Sequence, residues 1–577
     1  MKFSLCYKLY KYFDSEMKAK SKRFFGTIAS FSLISLSAAV GPLYSQSLSG
    51  KIREGLRTRI EATGIPPKIT VKDDLIHASL TLPLFYERRV YQPAWSGDEG
   101  PLSHVNSLVQ AIQDAHLEGL RAEDYHLDKI LAILDMVRKD LKKQKPLDSG
   151  TLTDLDLLCT DAFLIYSSHL LSGRVNPVTI HVEWNAKRRE ADLAKVLEEA
   201  LQKKQIIASL QSLVEHPGYI RLRQTLAHYR KIEALGGYTL VPSGSKMQKG
   251  NRDERVKELR KRLIASGDLF SNMNENESFF DEALDQAVRH FQRRHGLDVD
   301  GVVGPATYRE LNVSVEARIR QIVVNLERWR WLPQTLGKRY ILTNIANFEL
   351  EVVEDDHLIM SMHVVVGKTY RKSPVFSDQM SYLVFSPYWN VPVGIATKDI
   401  LPEVRKDVNY LKKKKIKVYQ GWGTEARELD SQSIDWSQVQ AKNFPFRFRQ
   451  DPGPSNALGR IKFMFPNPYD VYLHDSPDRE LFAKADRAFS SGCIRIEKPI
   501  DLAEYVLRGD PKWTRSAIIS AMEGGVEKTV QLPEPIDIHF LYWTAWTDED
   551  STIHFRKDLY ERDMVLYRAL LEEPPTK

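Results

Sequence analysis

Near residue 338 the hydrophobic periodicity of this 577-residue chain changes, and that switch constrains the fold more than any other feature. Upstream, from 50 to 245, apolar residues recur at helical spacing. In HVNSLVQAIQDAHLEGL, Val105, Leu108, Val109 and Ile112 share one helix face, and Gly119 is placed to stop the helix. Downstream, RYILTNIANFELEVVEDDHLIMSMHVVVGK alternates every second residue, with EDDH as a charged turn, and MSYLVFSPYWNVP and GRIKFMFPNPYDVYLHDSP continue the pattern. A helical half followed by an antiparallel, barrel-like β half is the expectation. A chain of this length exceeds one hydrophobic core, so the fold class is multidomain α+β.

Between the halves, VPSGSKMQKG reads as a linker and residues 250–315 as a small three-helix module. Asp281 can cap a helix whose apolar face carries Leu284, Ala287, Val288 and Phe291, with Gly296 as its stop. Asp300-Gly301 and Gly304-Pro305 then make turns before a final helix from Thr307. Within the β half, alternation lapses over 395–446. The Lys412–Lys415 run there reads as a solvated face, and the whole stretch as a lid over a neighbouring site.

Composition removes some functions. The 82 basic residues against 76 acidic ones leave a net charge of +6 over the whole length, too little to suggest a nucleic-acid partner. At the N-terminus, Lys18, Lys20, Lys22 and Arg23 precede an apolar run from Phe24 to about Val40. Residues 1–45 therefore read as a secretory signal or a single retained membrane anchor, with translation starting at Met1 or Met17. Either reading exports the rest of the chain to the cell envelope, periplasmic or attached to the inner membrane.

Export gives the three cysteines meaning. Cys6 lies in the leader, and Cys159 sits in an apolar helical stretch where an inert buried thiol is expected, a bridge to Cys493 being the bland alternative. An unpaired Cys493 in an oxidising compartment points to a nucleophile. It stands in SSGCIRI, between a flexible turn and a strand. His474 ends the strand-like YDVYL upstream and is the candidate base. The intervening segment is expected to fold back and bring thiol and imidazole together. Backbone N–H groups around Gly492 can bind an oxyanion, and Arg495, of the same strand parity as Cys493, can hold a substrate carboxylate.

HDSPDRELFAKADRAFSSGCIRI resembles the active-site signature of the YkuD-type L,D-transpeptidases, with 15 residues between His474 and Ser490. GPSNALGRIKFMF and VVVGK match further elements of that family, and FQRRHGLDVDGVVGP resembles peptidoglycan-binding modules. Ser491 stands where many members have His, as in the large YcbB-like branch, which LFYERRVYQPAW, PYWNVPVGIATKDILP and LYWTAWTDEDSTIHFRKDLYERD also resemble. The resemblance implies a helical scaffold over 50–245, a peptidoglycan-binding domain over 250–315, and a catalytic domain over 338–510 with a lid. It also implies a C-terminal extension over 511–563 that packs on the catalytic domain.

Its activity would be formation of 3-3 cross-links through a thioester on Cys493, with release of D-alanine from tetrapeptide stems. His474 would serve as base and then acid, and Gly492, Ser491, Tyr472 and Asp475 as oxyanion or orienting candidates. Arg495, Trp389, Asn456 and Gly459 would bind substrate, with Trp422 and Trp436 as further cleft candidates. Donor and acceptor stems are the implied partners, with glycan-synthesising and carboxypeptidase enzymes beside them; no cofactor or metal is implied. His290 and His295 lack a carboxylate or thiol at ligand spacing. Two other readings stand: a Cys-His murein hydrolase or carboxypeptidase on the same fold, and a non-catalytic wall-binding scaffold. A papain-like protease is disfavoured, because the histidine precedes the cysteine and no CGSCW-type motif is present.

Overall fold

The computed structural model describes residues 47–572 except 63, 65–67, 181–183, 186–188, 271–276 and 422. The leader expected over 1–45, with Cys6, and the cleft candidate Trp422 lie outside the described residues. No described helix is long and apolar enough to cross a membrane. Residues 48–572 form one unit with a helical N-terminal region, a small module and a β-rich domain.

The helical region is organised around Ser149–Ser172, whose start is fixed by Asp148 accepting the Thr151 N–H at 2.7 Å. This helix is buried nearly all round, as expected of one enclosed by neighbours. Cys159 is fully buried in it, with a thiol pushed well above its usual pKa by burial, and is not disulfide-bonded. Helix His104–Gln113 buries Val105, Leu108, Val109 and Ile112 as the spacing predicts. Its last turn tightens into a 3-10 segment, Asp114–Glu118, closed by Gly119 at φ 69°.

The module consists of Arg255–Ala265, Glu282–Arg294 and Pro305–Leu311 around a core of its own, including Leu259, Leu284, Val288 and Phe291. Asp281 caps the second helix through the Leu284 N–H at 2.9 Å. The third begins at Pro305, two residues before the expected Thr307, because proline at the first helical position sacrifices no hydrogen bond. Helix Val315–Arg330 follows. Several of its polar side chains are buried: Arg330 pairs with Glu327 at 2.9 Å and reaches Tyr219 of the helical region, while Arg328 pairs with Asp563 at 2.7 Å. The helical region and the β domain share one continuous hydrophobic core.

Eight strands build the β domain: β1 (Arg339–Asn344), β2 (Glu349–Glu354), β3 (His357–Gly367), β4 (Val375–Phe385), β5 (Ile461–Met464), β6 (Leu473–His474), β7 (Ile494–Ile496) and β8 (Lys528–Leu541). Their order is β1-β2-β3-β7-β6-β5-β4-β8, and β8 pairs in parallel with β1, closing a barrel. β8 lies in the segment 511–563, expected to pack on the catalytic domain as an extension. It is instead a wall strand, because β1 and β4 would otherwise both leave an unpaired edge. Trp184–Asn185 of the helical region adds a short parallel pairing to β4.

Between β4 and β5, across the 395–446 stretch read as a lid or capping insertion, the chain forms a compact cap. Trp389–Asn390, Phe446–Gln450, Ile416–Gln420 and Arg427–Leu429 make an antiparallel sheet over a separate core that includes Leu401, Leu411, Val418 and Phe448. This cap begins before the expected residue 395. IKVYQ carried the strand signal, hidden by the lysine run beside it. Lys412 to Lys415 are exposed.

Candidate active site

Two short strands place the chemistry. β6 and β7 run parallel, with Leu473 opposite Ile494 and His474 opposite Arg495. Leu473, Ile494 and Ile496 are fully buried, so the alternate positions share the other face. Tyr472, His474, Cys493 and Arg495 therefore project together, with the Tyr472 hydroxyl beside the Cys493 thiol. The Tyr472 ring stands edge-on to His474 with centroids 5.8 Å apart.

His474 is buried, and its Nδ1–H donates to the Asp475 carbonyl at 2.6 Å. A carbonyl only accepts, so this bond fixes the tautomer and leaves Nε2 as the basic nitrogen. The Asp475 backbone orients the ring; the Asp475 side chain does not, being turned to the Arg460 N–H at 3.0 Å. Burial, reinforced by the Arg495 charge, lowers the imidazole pKa to about 3. Burial also raises the Cys493 thiol, against the pull of the Tyr472 backbone and hydroxyl and of Arg495. Both shifts favour a neutral thiol and a neutral imidazole at rest over a thiolate–imidazolium pair. The resting thiol donates to the Asp470 carbonyl at 3.8 Å and not to the imidazole. The segment after His474, expected to fold back, contains the turn Arg479–Ala483 anchored by buried Phe482.

The loop before Cys493 is held from several sides. Gly492 adopts φ 123°, a conformation that favours glycine. Its N–H is taken by Ser490 Oγ at 3.1 Å, and Ser490 Oγ donates to the Cys493 carbonyl at 2.6 Å. The expected oxyanion role therefore falls away from the Gly492 N–H, while the Cys493 N–H has no hydrogen-bond partner among the described residues. Ser373 Oγ donates to the Gly492 carbonyl at 2.7 Å. Because C=O and N–H of one planar peptide point in opposite directions, this bond also aims the Cys493 N–H. Ser373 is itself fixed by Tyr560, whose hydroxyl accepts the Ser373 N–H at 3.1 Å and donates to the Gly367 carbonyl at 2.7 Å. Sequence reasoning missed Ser373 and Tyr560, since neither belongs to a motif around the thiol.

Other expected site residues sit elsewhere. Ser491 is exposed and its Oγ accepts from Arg371 at 2.8 Å; Arg371 also pairs with Asp399 of the cap. Arg495 is engaged by Asp478 at 2.7 Å, so a substrate carboxylate would have to displace that partner. Asn456 spends its amide on the Pro387 and Asp451 carbonyls and accepts the Leu458 N–H, which makes it a loop brace. Gly459 gives room to the Asp475 carboxylate, with which a Cβ would clash. Trp389 packs against the cap core and Trp436 is buried within it, so Trp436 does not line a cleft. A cavity of about 520 Å³ borders the chain just after His474, lined by Gly459, Arg460, Asp475, Ser476, Arg479 and Glu497. Among the described residues no cluster of histidine, cysteine and carboxylate side chains has the geometry to hold a metal ion.

Comparison with known proteins assigns three regions. Residues 338–514 match a family described as "L,D-transpeptidase catalytic domain", 252–311 one described as "Putative peptidoglycan binding domain", and 81–226 one described as "Scaffold domain". A "Putative L,D-transpeptidase" of Haemophilus influenzae is 34% identical over 254 residues, covering 43% of this chain and 50% of that protein. The chain thus spans half the length of this curated relative. The N-acetylmuramoyl-L-alanine amidase CwlM of Mycobacterium tuberculosis is 45% identical over 75 residues, 12% of this chain and 18% of that one. A crystal structure of an L,D-transpeptidase from Xylanimonas cellulosilytica aligns with 52% of this chain and 99% of its own at 14% identity. Its TM-score of 0.16 adds nothing to the assignment.

Proposed function

This chain carries a YkuD-family L,D-transpeptidase catalytic domain together with a peptidoglycan-binding domain, and from that premise we propose that it cross-links cell-wall peptides through Cys493. The observation that carries the reading is the shared face of β6 and β7, where thiol, imidazole, phenol and guanidinium stand on one ribbon.

Cys493 Sγ adds to the carbonyl that joins a diamino acid to the terminal D-alanine of a tetrapeptide stem, and its proton passes to His474 Nε2. The negative oxygen that forms is met by the Cys493 N–H and the Tyr472 hydroxyl. Collapse expels D-alanine, whose nitrogen takes the proton from the imidazolium, and leaves a thioester. The side-chain amine of a second stem then attacks. His474 receives the amine proton and returns it to the departing sulfur, giving a 3-3 cross-link and the starting enzyme. The imidazole is unprotonated at rest, which the first proton transfer requires, while its burial also makes it a weak base. Water competes with the amine for the thioester, and a cap with its own core beside the Ser491 loop favours the amine by excluding water.

Purified full-length protein incubated with disaccharide tetrapeptides and followed by mass spectrometry tests the reading. Dimers and free D-alanine are expected from the wild type and neither from Cys493→Ala. Shortened monomers without dimers would make the enzyme a hydrolase or carboxypeptidase, and the absence of any product would reject both.

A further inference from the structure

Three separate parts of the chain meet around a second cavity of about 510 Å³, to which Cys493 and His474 do not contribute. They are helix Pro217–Ala234, the module, and the turn between strands Ala545–Thr547 and Ile553–Phe555. Its size is that of ligand sites in general, which run from about 300 to 1,000 Å³.

From the helix, Arg221, Gln224, Thr225 and His228 line it at i, i+3, i+4 and i+7, so one polar face looks into the space. Arg221 Nε is buried without a hydrogen-bond partner among the described residues. The module contributes His290, whose Nδ1 is held by Asp268 at 2.8 Å. Asp268 is fully buried and is clamped by Arg294. That bond orients the imidazole and leaves its other edge in the partly exposed position lining the cavity. At the rim stands Phe270, 92% exposed. Leaving a phenylalanine in water forgoes about 1.5–3 kcal/mol of burial. Here the ring shares the cavity with hydroxyl, amide and imidazole groups, including Ser551 and Thr552 of the turn, and with the Asp550 carboxylate.

An apolar ring next to a row of hydrogen-bonding groups suits a sugar, whose C–H face is apolar and whose edge is polar. A guanidinium whose Nε has no partner among the described residues suits a carboxylate. We propose that this seam is a binding site for a carboxylate-bearing glycopeptide of the wall, with Phe270 stacked on an amino-sugar ring and Arg221 on a carboxylate of the peptide stem. The choice of polymer rests on the function proposed above. The seam would hold the enzyme on the wall through contacts outside the catalytic face, and it needs the helical region and the C-terminal turn as well as the module.

The test is retention of the full-length protein on purified insoluble sacculi, alongside D-alanine release from soluble disaccharide tetrapeptides. Phe270→Ala and Arg221→Gln should each weaken retention about tenfold, the scale of a binding hot spot, and leave soluble turnover unchanged. Phe270→Trp should restore retention, which a merely structural defect would not allow. Free stem tetrapeptide added as a competitor should lower wild-type retention and leave the residual retention of Arg221→Gln unchanged. Variants retained like the wild type, or retention lost only together with soluble turnover, would overturn the proposal. A wild type that binds sacculi but releases no D-alanine would instead reject the transpeptidase reading and leave this site standing.

Discussion

The peptidoglycan-binding module and the cap are both satellites with their own cores, yet they are fastened in opposite ways. The module is joined by buried contacts. His295 stacks between Phe291 of its own helix and Phe555 of the C-terminal hairpin, at centroid distances of 4.0 and 5.4 Å. Arg318 lies over Phe555, and Arg556 donates to the Arg294 carbonyl at 2.9 Å. The cap is joined to the nucleophile loop by charge: Arg371 bridges Asp399 and Ser491, and the Asp399 side chain is 40% exposed. Desolvated aromatic contacts are rigid, while a half-exposed ion pair is exchanged for water at little cost. The module's joint is thus the harder of the two to open, and the cap's contact with the loop that carries the thiol is the more easily exchanged for water.

The largest expected effect breaks the rigid side. Phe555→Ala removes a fully buried ring and should cost about 3–5 kcal/mol, read as a fall in Tm, with sacculus retention falling before soluble turnover. Acidification tests the same joint. Burial, and then the charges of Arg294, Arg318, Arg262 and Arg556, hold His295 well below its usual pKa, although Glu310 lies 2.9 Å from its Nδ1. Unfolded, this histidine would titrate near 6.5. Its contribution to stability is therefore complete above about pH 6.5 and is lost progressively as pH falls towards the depressed value, at about 1.4 kcal/mol per unit of separation. Denaturant midpoints measured from pH 7 down to 4 should fall more steeply for the wild type than for His295→Gln.

The loop itself comes next. Tyr560→Phe deletes the hydroxyl that serves Gly367 and Ser373, leaving buried polar groups unsatisfied at a cost of about 1–3 kcal/mol. Since Ser373 aims the Cys493 N–H, kcat should fall with KM little changed; equal loss in both would make Tyr560 purely structural. Smallest in stability is Asp399→Asn, which should shift Tm by less than about 1 kcal/mol equivalent. It should nevertheless raise the ratio of hydrolysed to cross-linked product. An unchanged ratio would show that the cap does not govern water.

Much of the site was legible because its chemistry is local. Strand parity put Cys493 and Arg495 on one face, and Ser490-Ser491-Gly492 read as a turn leading into the strand. The roles assigned to Asn456 and Gly459 were less accessible: their motif is real, but its side chains brace the loop that carries His474's neighbours. The pairing of Arg495 with Asp478 and the burial of Trp436 likewise depend on what lies opposite, which a linear reading does not contain.

By itself the sequence determined the order of helical and β halves, the module with its capped helices, and the thiol with its candidate imidazole. These follow from periodicity, capping and alternation over a dozen residues. Tertiary structure alone decided that β8 closes the barrel, that Tyr560 governs a loop far away in sequence, and that the cap has a core of its own. Those outcomes come from pairing edges and burying polar groups between distant segments, and the free energy of such contacts exists only once the chain has closed on itself.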